Sequence, residues 1–449
     1  MTAGIRDRDR RATAPGAGWR AGWGAGFATA RWVVPAILLL AIGLRLGLIL
    51  AFPVMPRADS LWYWIRGREI AQGLGYQEAG FPTTFWPVGY PALLGAATLL
   101  FGPSLFGPLL FNLVAQGLTI LMILWFARHL DAGEGAARLA ALLYAVYPAH
   151  IAYSGDTAAE PTSTAIVMAG MALVLKARTR MGWAVPAGLV LGAGVLMRPQ
   201  MMLLPPLLLV LVWLGGGVRW RRALLLLALV MAGMGAVILP WALRNQAVLG
   251  APVPVSTNGG VALQAGANDL ADGGYFKVET SPLWAQVGIP FADRVERQVE
   301  IDRRLKRLAT DWIGAHPVRW GLLGFRKMAL LWWKDSDGFW PLDASHPERG
   351  LMWKAMQGID QLFYMAVLAL AVVGTVLAAR AAWVGRAGAA MLVAAVMPVF
   401  CTALAFGFTG QTRYHYPAMP FVMILAAWVV ARWLGEPSRA PAAMPGHGR

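Results

Sequence analysis

Acidic residues are scarce in this chain. Only 23 of its 449 residues are Asp or Glu, against 39 Lys or Arg, and charged residues together make up 14%. The single cysteine, Cys401, excludes an intrachain disulfide and a cysteine metal cage. The compact signatures of chemistry are missing too. No His-Glu-x-x-His is present, no phosphate-cradling glycine loop adjoins a strand, and there is no serine elbow. What the chain has in abundance is apolar sequence. Hydrophobic residues reach 58%, which is outside the soluble range and asks for many membrane spans.

The formal net charge of +16 does not point to nucleic acid. The basic residues fall in short tracts between apolar segments: Arg6 to Arg11, Lys176/Arg178/Arg180, Arg219/Arg221/Arg222 and Arg380/Arg386. That is the positive-inside pattern, so the charge reports topology and contact with an anionic leaflet. Spans are expected at about 32–52, 105–126, 139–153, 162–175, 183–197, 201–214, 223–243, 362–379, 389–406 and 421–433. The predicted fold is an all-α polytopic membrane protein of about ten transmembrane helices, with both termini inside. Interfacial helices are expected over Leu61 to Gln72 and Val318 to Trp333, and Pro91 to Phe101 is too short to cross alone. The organisation reads as a basic cytoplasmic tail (1–31), an N-terminal transmembrane core (32–243) with a first exterior loop (53–90), a large exterior region (244–360), C-terminal spans (361–434) and a second cytoplasmic tail (435–449).

One carboxylate stands out. Asp59 lies just beyond the first span, in Pro56-Arg57-Ala58-Asp59-Ser60-Leu61-Trp62-Tyr63. A charge so near hydrocarbon needs a polar cavity or a partner. The plain alternative is that Asp59 or Ser60 caps a helix starting at Leu61. Asp156 and Glu160 are the other acids near that face, and Arg198, Arg244 and Arg413 are isolated arginines at exterior span ends. Positive-inside bias makes such arginines exceptions, and three at equivalent depth look recruited for an anion. The plain alternative for each is snorkelling to a carbonyl or a lipid phosphate. His150 and His415 are read as structural hydrogen-bonders. A site assembled from several exterior loops would suit one task. Its carboxylate would deprotonate an acceptor hydroxyl, and its arginines would stabilise a phosphate leaving group.

These residues carry a resemblance. From Trp32 to Trp433 the chain resembles the GT-C superfamily of membrane glycosyltransferases that use polyprenyl-phosphate sugars. Within it, the similarity is to the bacterial branch of lipid A aminoarabinose transferases, protein O-mannosyltransferases and rhizobial galacturonosyltransferases. Its strongest part joins Asp59/Tyr63, Gly73-Leu74-Gly75-Tyr76 and Pro87-Val88-Gly89-Tyr90-Pro91. Glu160 before a span, Arg198-Pro199, Pro240-Trp241 with Arg244-Asn245, and Arg413-Tyr414 ahead of Pro417 and Pro420 add to it. The resemblance implies Asp59 as catalytic base, Glu160 or Asp156 as a second acidic group, and Arg244 and Arg413 as contacts to the donor phosphate. Arg198 joins those two by position, and Tyr63, Tyr76, Tyr90 and His415 are supporting candidates. Many relatives carry two adjacent acids in the first loop, whereas Ser60 follows Asp59 here. A lone carboxylate is a poor divalent site, so no cofactor is specified and a metal stays open.

The expectation is an integral glycosyltransferase of the bacterial inner membrane with its site facing the periplasm or exterior. Its partners would be a polyprenyl-phosphate sugar donor, an acceptor that is an envelope lipid, glycan or protein, and membrane lipids. A transporter or flippase of lipid-linked substrates is the alternative of another class. It calls for midplane ionisable groups and internal repeats, and no clear two-half symmetry is visible. A glycan ligase of the same architecture is not separated from the leading reading.

Overall fold

The computed structural model describes residues 26–214, 219–384 and 388–435. The expected tails, with Arg6 to Arg11, lie largely outside the described residues, as does Arg386. The chain is a multi-pass, almost entirely helical membrane protein. In order its helices are α1 (Val33–Ala51), α2 (Ala58–Ala71), α3 (Gly89–Phe101), α4 (Phe106–His129), α5 (Glu134–Ala145), α6 (Pro148–Ala152), α7 (Ala159–Ala177), α8 (Ala184–Met197) and α9 (Leu204–Leu214). Then follow α10 (Trp220–Leu249), α11 (Gly259–Gly266), α12 (Gln298–Ala315), α13 (Pro317–Trp333), α14 (Trp340–Ser345), α15 (Gly350–Trp383), α16 (Val396–Gly407) and α17 (Met419–Trp433).

Among the described residues, six helical stretches are long and apolar enough to cross a membrane, or seven if the bent pair Pro148–Gly155 and Ala159–Ala177 counts as one span. The ten expected spans include 183–197 and 201–214, which fall on the shorter apolar helices Met181–Met197 and Pro199–Val210. The expected large exterior region also cuts through two helices. Arg244 lies inside α10, and Asp360 lies inside α15.

Two packing features place the site. The last helix is apolar all round and runs through the middle of the bundle, with Met419 to Trp428 buried without a break. The 3-10 turn before it (Thr412–Ala418) therefore emerges at the centre of one end face. Helices α8 and α10 meet at glycines. A Cβ on Gly188 would fall 2.1 Å from the Val230 carbonyl oxygen, so only a bare backbone allows the approach.

The other feature is a break. Helix α5 ends at Ala145, and the chain turns by 115° between the segment Pro148–Gly155 and α7. Freed carbonyls in hydrocarbon need donors. Arg45, buried in α1, supplies them, donating to the carbonyls of Tyr144 (3.2 Å) and Ala145 (2.9 Å) and to Gln116 Oε1 (2.5 Å). Four residues apart on α4, Asn112 donates to the Asp156 carbonyl at 2.7 Å and Gln116 to Ser154 Oγ at 2.8 Å. A mid-span arginine costs about 3 kcal/mol to insert, and these bonds offset that cost.

Between α10 and α15 the chain builds a smaller body with its own core of Ala265, Val278, Val287, Ile289, Ile301 and Leu305. Helix α12 fastens this body to the first loop. Gln298 Oε1 accepts from the Thr84 amide at 2.8 Å, while Gln298 Nε2 donates to the Pro82 carbonyl at 2.9 Å. Within the first loop, strands β1 (Gln77–Glu78) and β2 (Phe81–Pro82) pair antiparallel. Their hairpin turns through Ala79 and Gly80, both at positive φ, as a tight primed turn requires.

Candidate active site

Four charged residues from four separate parts of the chain meet at one end of the bundle. Asp59 sits in the first turn of α2, Glu160 in the first turn of α7, Arg198 at the end of α8 and Arg413 in the turn before α17. Arg413 Nη1 donates to Asp59 Oδ2 at 3.0 Å, and Arg198 Nη2 to Glu160 Oε1 at 2.5 Å. Tyr63 lies among them. Its hydroxyl is held well above its ordinary pKa, chiefly by burial and next by the Asp59 charge, while Arg198 and Arg413 pull the other way. Tyr63 therefore stays protonated and serves as a neutral wall. The opposite end of the bundle is basic. Lys176, in the last turn of α7, lies over the rings of Trp125 and Trp183.

The capping alternative for Asp59 and Ser60 does not hold. The helix begins at Ala58, upstream of both, and carries no side-chain cap bond. Its start is marked by Ala58 at φ +48°, a left-handed conformation that costs a non-glycine residue about 1 kcal/mol or more. Asp59 is left partly exposed with Arg413 as its ion-pair partner among the described residues, and Ser60 Oγ turns to donate to Asp156 Oδ2 at 2.7 Å. Asp156 is thus brought to the rim of the cluster. Burial lifts its carboxyl to about 6, against the lowering effect of the Ser60 bond.

The same residues keep unspent polar atoms. Nε of Arg198, Nε of Arg413, Oδ1 of Asp156 and the Tyr90 hydroxyl are all buried with no hydrogen-bond partner among the described residues. Tyr90 packs edge-on to Tyr63 at 5.6 Å. Two buried arginine N–H groups without acceptors mark a position prepared for an anion. Among the described residues, no three of His, Cys, Asp or Glu are grouped so as to hold a metal ion.

Three of the candidates stand elsewhere. Arg244 donates to the carbonyls of Tyr76 (2.8 Å) and Thr83 (3.1 Å) and lies over the Trp241 ring at 4.7 Å. It staples the first loop to α10. Tyr76 belongs to the same staple, its hydroxyl donating to the Trp86 carbonyl at 2.9 Å. His415 is buried between the rings of Trp332 and Tyr364, with Nδ1 2.7 Å from the Leu331 carbonyl oxygen and Nε2 3.5 Å from Asp335 Oδ1. The role expected of histidine as a structural hydrogen-bonder fits this place.

Two residues were not visible as site candidates in the sequence. Tyr275, in the smaller body, has its pKa raised by burial, by Glu279 and then by the Asp59 charge, which places it within electrostatic reach of the cluster. Asp337 holds the Arg413 backbone, as described below. Neither belongs to a motif.

Comparison with known proteins shows what the chain is similar to. Residues 86–243 match the family model described as dolichyl-phosphate-mannose-protein mannosyltransferase. Over 168 residues the chain is 31% identical to the undecaprenyl phosphate-alpha-4-amino-4-deoxy-L-arabinose arabinosyl transferase of Pseudomonas aeruginosa strain LESB58. That stretch covers 36% of this chain and 30% of the relative, so less than a third of the relative's length is matched. Among solved structures, the apo oligosaccharyltransferase of Archaeoglobus fulgidus superimposes with a TM-score of 0.55 at 13% identity, covering 90% of this chain and 51% of that one. The archaeal enzyme in complex with an inhibitory peptide and a dolichol-phosphate gives 0.52 at 14%, covering 92% and 50%. At these identities the likeness is one of fold.

Proposed function

We propose that this chain, a member of the GT-C superfamily by its fold, is an integral membrane glycosyltransferase that moves a sugar from a polyprenyl-phosphate donor to an acceptor hydroxyl. The observation that carries the reading is the meeting of Asp59 with Arg413, an arginine that keeps a buried N–H unspent. Asp59 takes the proton of the acceptor hydroxyl as its oxygen bonds to the anomeric carbon. The bond from that carbon to the phosphate oxygen breaks, and its electron pair leaves with the polyprenyl phosphate. Arg413 receives the developing charge, with Arg198 as the second cation. The acceptor is an envelope lipid, glycan or protein hydroxyl, and the site faces the periplasm or exterior, on the side away from the arginine-rich turns. By family resemblance the anomeric carbon inverts. The matched relative and the dolichol-phosphate complex support a lipid-phosphate donor.

Mass analysis of envelope lipids and glycans from a deletion strain tests this. The expected result is loss of one sugar from one envelope component, restored by the wild-type gene and not by an Asp59→Asn copy. An unchanged envelope, alongside accumulation of a lipid-linked substrate on the inner leaflet, would favour a flippase instead.

A further inference from the structure

We infer that Asp337 is a positioning residue that sets the Arg413 guanidinium by holding the backbone from which it springs. The inference rests on the role proposed above for Arg413. It concerns a residue some seventy positions earlier in the chain, in the turn Asp337–Phe339 between α13 and α14, whose Phe339 packs into the core of the bundle.

Arg413 stands at the start of a 3-10 turn, where the leading amides have no acceptor within the helix. Gln411, just before that turn, makes no side-chain cap bond. The missing acceptor arrives from Asp337. Its Oδ2 accepts from Thr412 Oγ1 at 2.5 Å and from the Arg413 amide at 2.9 Å. A carboxylate on the first amides of a helical turn is favoured by charge as well as by geometry. The two bonds hold the backbone of residues 412 and 413, from which the Arg413 side chain reaches Asp59 Oδ2.

The neighbours of Asp337 extend the argument to the other half of the site. A Cβ on Gly338 would fall 2.7 Å from the Ala149 carbonyl oxygen and 2.8 Å from the Tyr153 ring, so this turn lies flush against the segment that leads to Asp156 and Glu160. Two residues earlier, Asp335 accepts from the Tyr147 hydroxyl and faces His415. One short stretch between α13 and α14 thus touches both the Arg413 turn and the 148–155 break. It keeps the cation and the second pair of acids in register. Asp337 itself pairs with no side chain of Asp59, Glu160 or Arg198.

Two measurements decide the matter. Hydrogen–deuterium exchange on the full-length protein in detergent should show peptides over 411–416 losing protection in Asp337→Ala, with peptides of α4 and α10 unchanged and Asp337→Asn retaining part of the protection. Unchanged protection at 411–416 would overturn the inference whatever the protein binds. The second measurement is binding of undecaprenyl phosphate, followed by tryptophan fluorescence, in a double-mutant cycle. Asp337→Ala should weaken binding about tenfold, and should add nothing further to Arg413→Ala. Equal losses in both backgrounds would mean that Asp337 acts by general stability rather than through Arg413. Failure of the wild-type protein to bind the lipid phosphate would count against the proposed function, leaving the exchange result to judge Asp337.

Discussion

At the Arg244 station the guanidinium lies over the Trp241 ring and donates to two backbone carbonyls of the first loop. At the Arg413 station the guanidinium faces a carboxylate that is itself partly exposed, and its Nε finds no acceptor among the described residues. Both arginines are isolated in the sequence and both stand at one end of the bundle, Arg244 within α10 and Arg413 just before α17. The difference lies in what surrounds them. Carbonyls are weak, fixed partners that an arginine joins to hold backbone in place, whereas a carboxylate with open sides is a partner that a substrate can displace. A staple and a binding cation are therefore distinguished by their unspent donors and by the charge of their acceptors.

The comparison breaks most readily in kinetics. Arg413→Ala should lower turnover of a lipid-linked donor on the order of a hundredfold to a thousandfold, the range seen when one charge-stabilising donor is removed. Arg244→Ala should cost less than about tenfold and should lower stability by about 1–2 kcal/mol through the freed loop carbonyls. Steady-state rates and denaturation midpoints measured on the same preparations check both. A larger kinetic loss for Arg244 would reverse the assignment of the two stations.

A second contrast is between the two ion pairs. Asp59 and Arg413 are both partly exposed, while Glu160 and Arg198 are nearly enclosed, with side-chain exposures of 7% and 15%. Removing one partner of an enclosed pair leaves the other charge uncompensated. Glu160→Gln should therefore destabilise the protein by about 3 kcal/mol, and Glu160→Gln combined with Arg198→Met should recover part of it. Thermal unfolding of the two variants reads this out directly.

The smallest effect belongs to Asp156. Burial raises its carboxyl to about 6, the Ser60 bond opposes that shift, and the charges of Glu160 and Asp59 add to it. The folded-state value lies above the unfolded one, so the folded protein holds the extra proton between about pH 4 and pH 6. This contribution to stability falls as pH rises through that window and stays lost above it. Asp156→Asn should flatten the dependence and raise the unfolding midpoint at pH 7 by a few degrees, which scanning calorimetry at pH 5 and pH 7 would reveal. A steeper dependence in the variant would contradict the assignment.

Much of this architecture is legible in the sequence because apolar runs and arginine tracts report spans directly. Asp59, Glu160, Arg198 and Arg413 were also legible, since each is a charge where hydrocarbon begins. Arg244 shares that signature, and only its acceptors reveal that it faces carbonyls. Arg45 escaped notice for the opposite reason. It lies within an apolar run, and apart from Gln116 its partners are main-chain carbonyls, which carry no letter of their own. The start of α2 shifted to Ala58 because a residue at positive φ began the helix, a conformation that alanine does not advertise. Asp337 was hidden by distance along the chain, as any cap delivered from another element is. The span count differs where helices such as Met181–Met197 are apolar but short, so that composition suggests a crossing that length alone does not supply.

The proposed role of Asp59 as the base is open to one direct test. Asp59→Asn preserves shape and hydrogen-bonding reach to Arg413 while removing the proton acceptor. Purified wild-type and variant proteins, matched for unfolding midpoint, would be given the same polyprenyl-phosphate sugar and acceptor extract, and transfer would be followed by mass spectrometry. A loss on the order of a hundredfold with donor binding retained is the predicted result. Transfer at the wild-type rate by Asp59→Asn would contradict it.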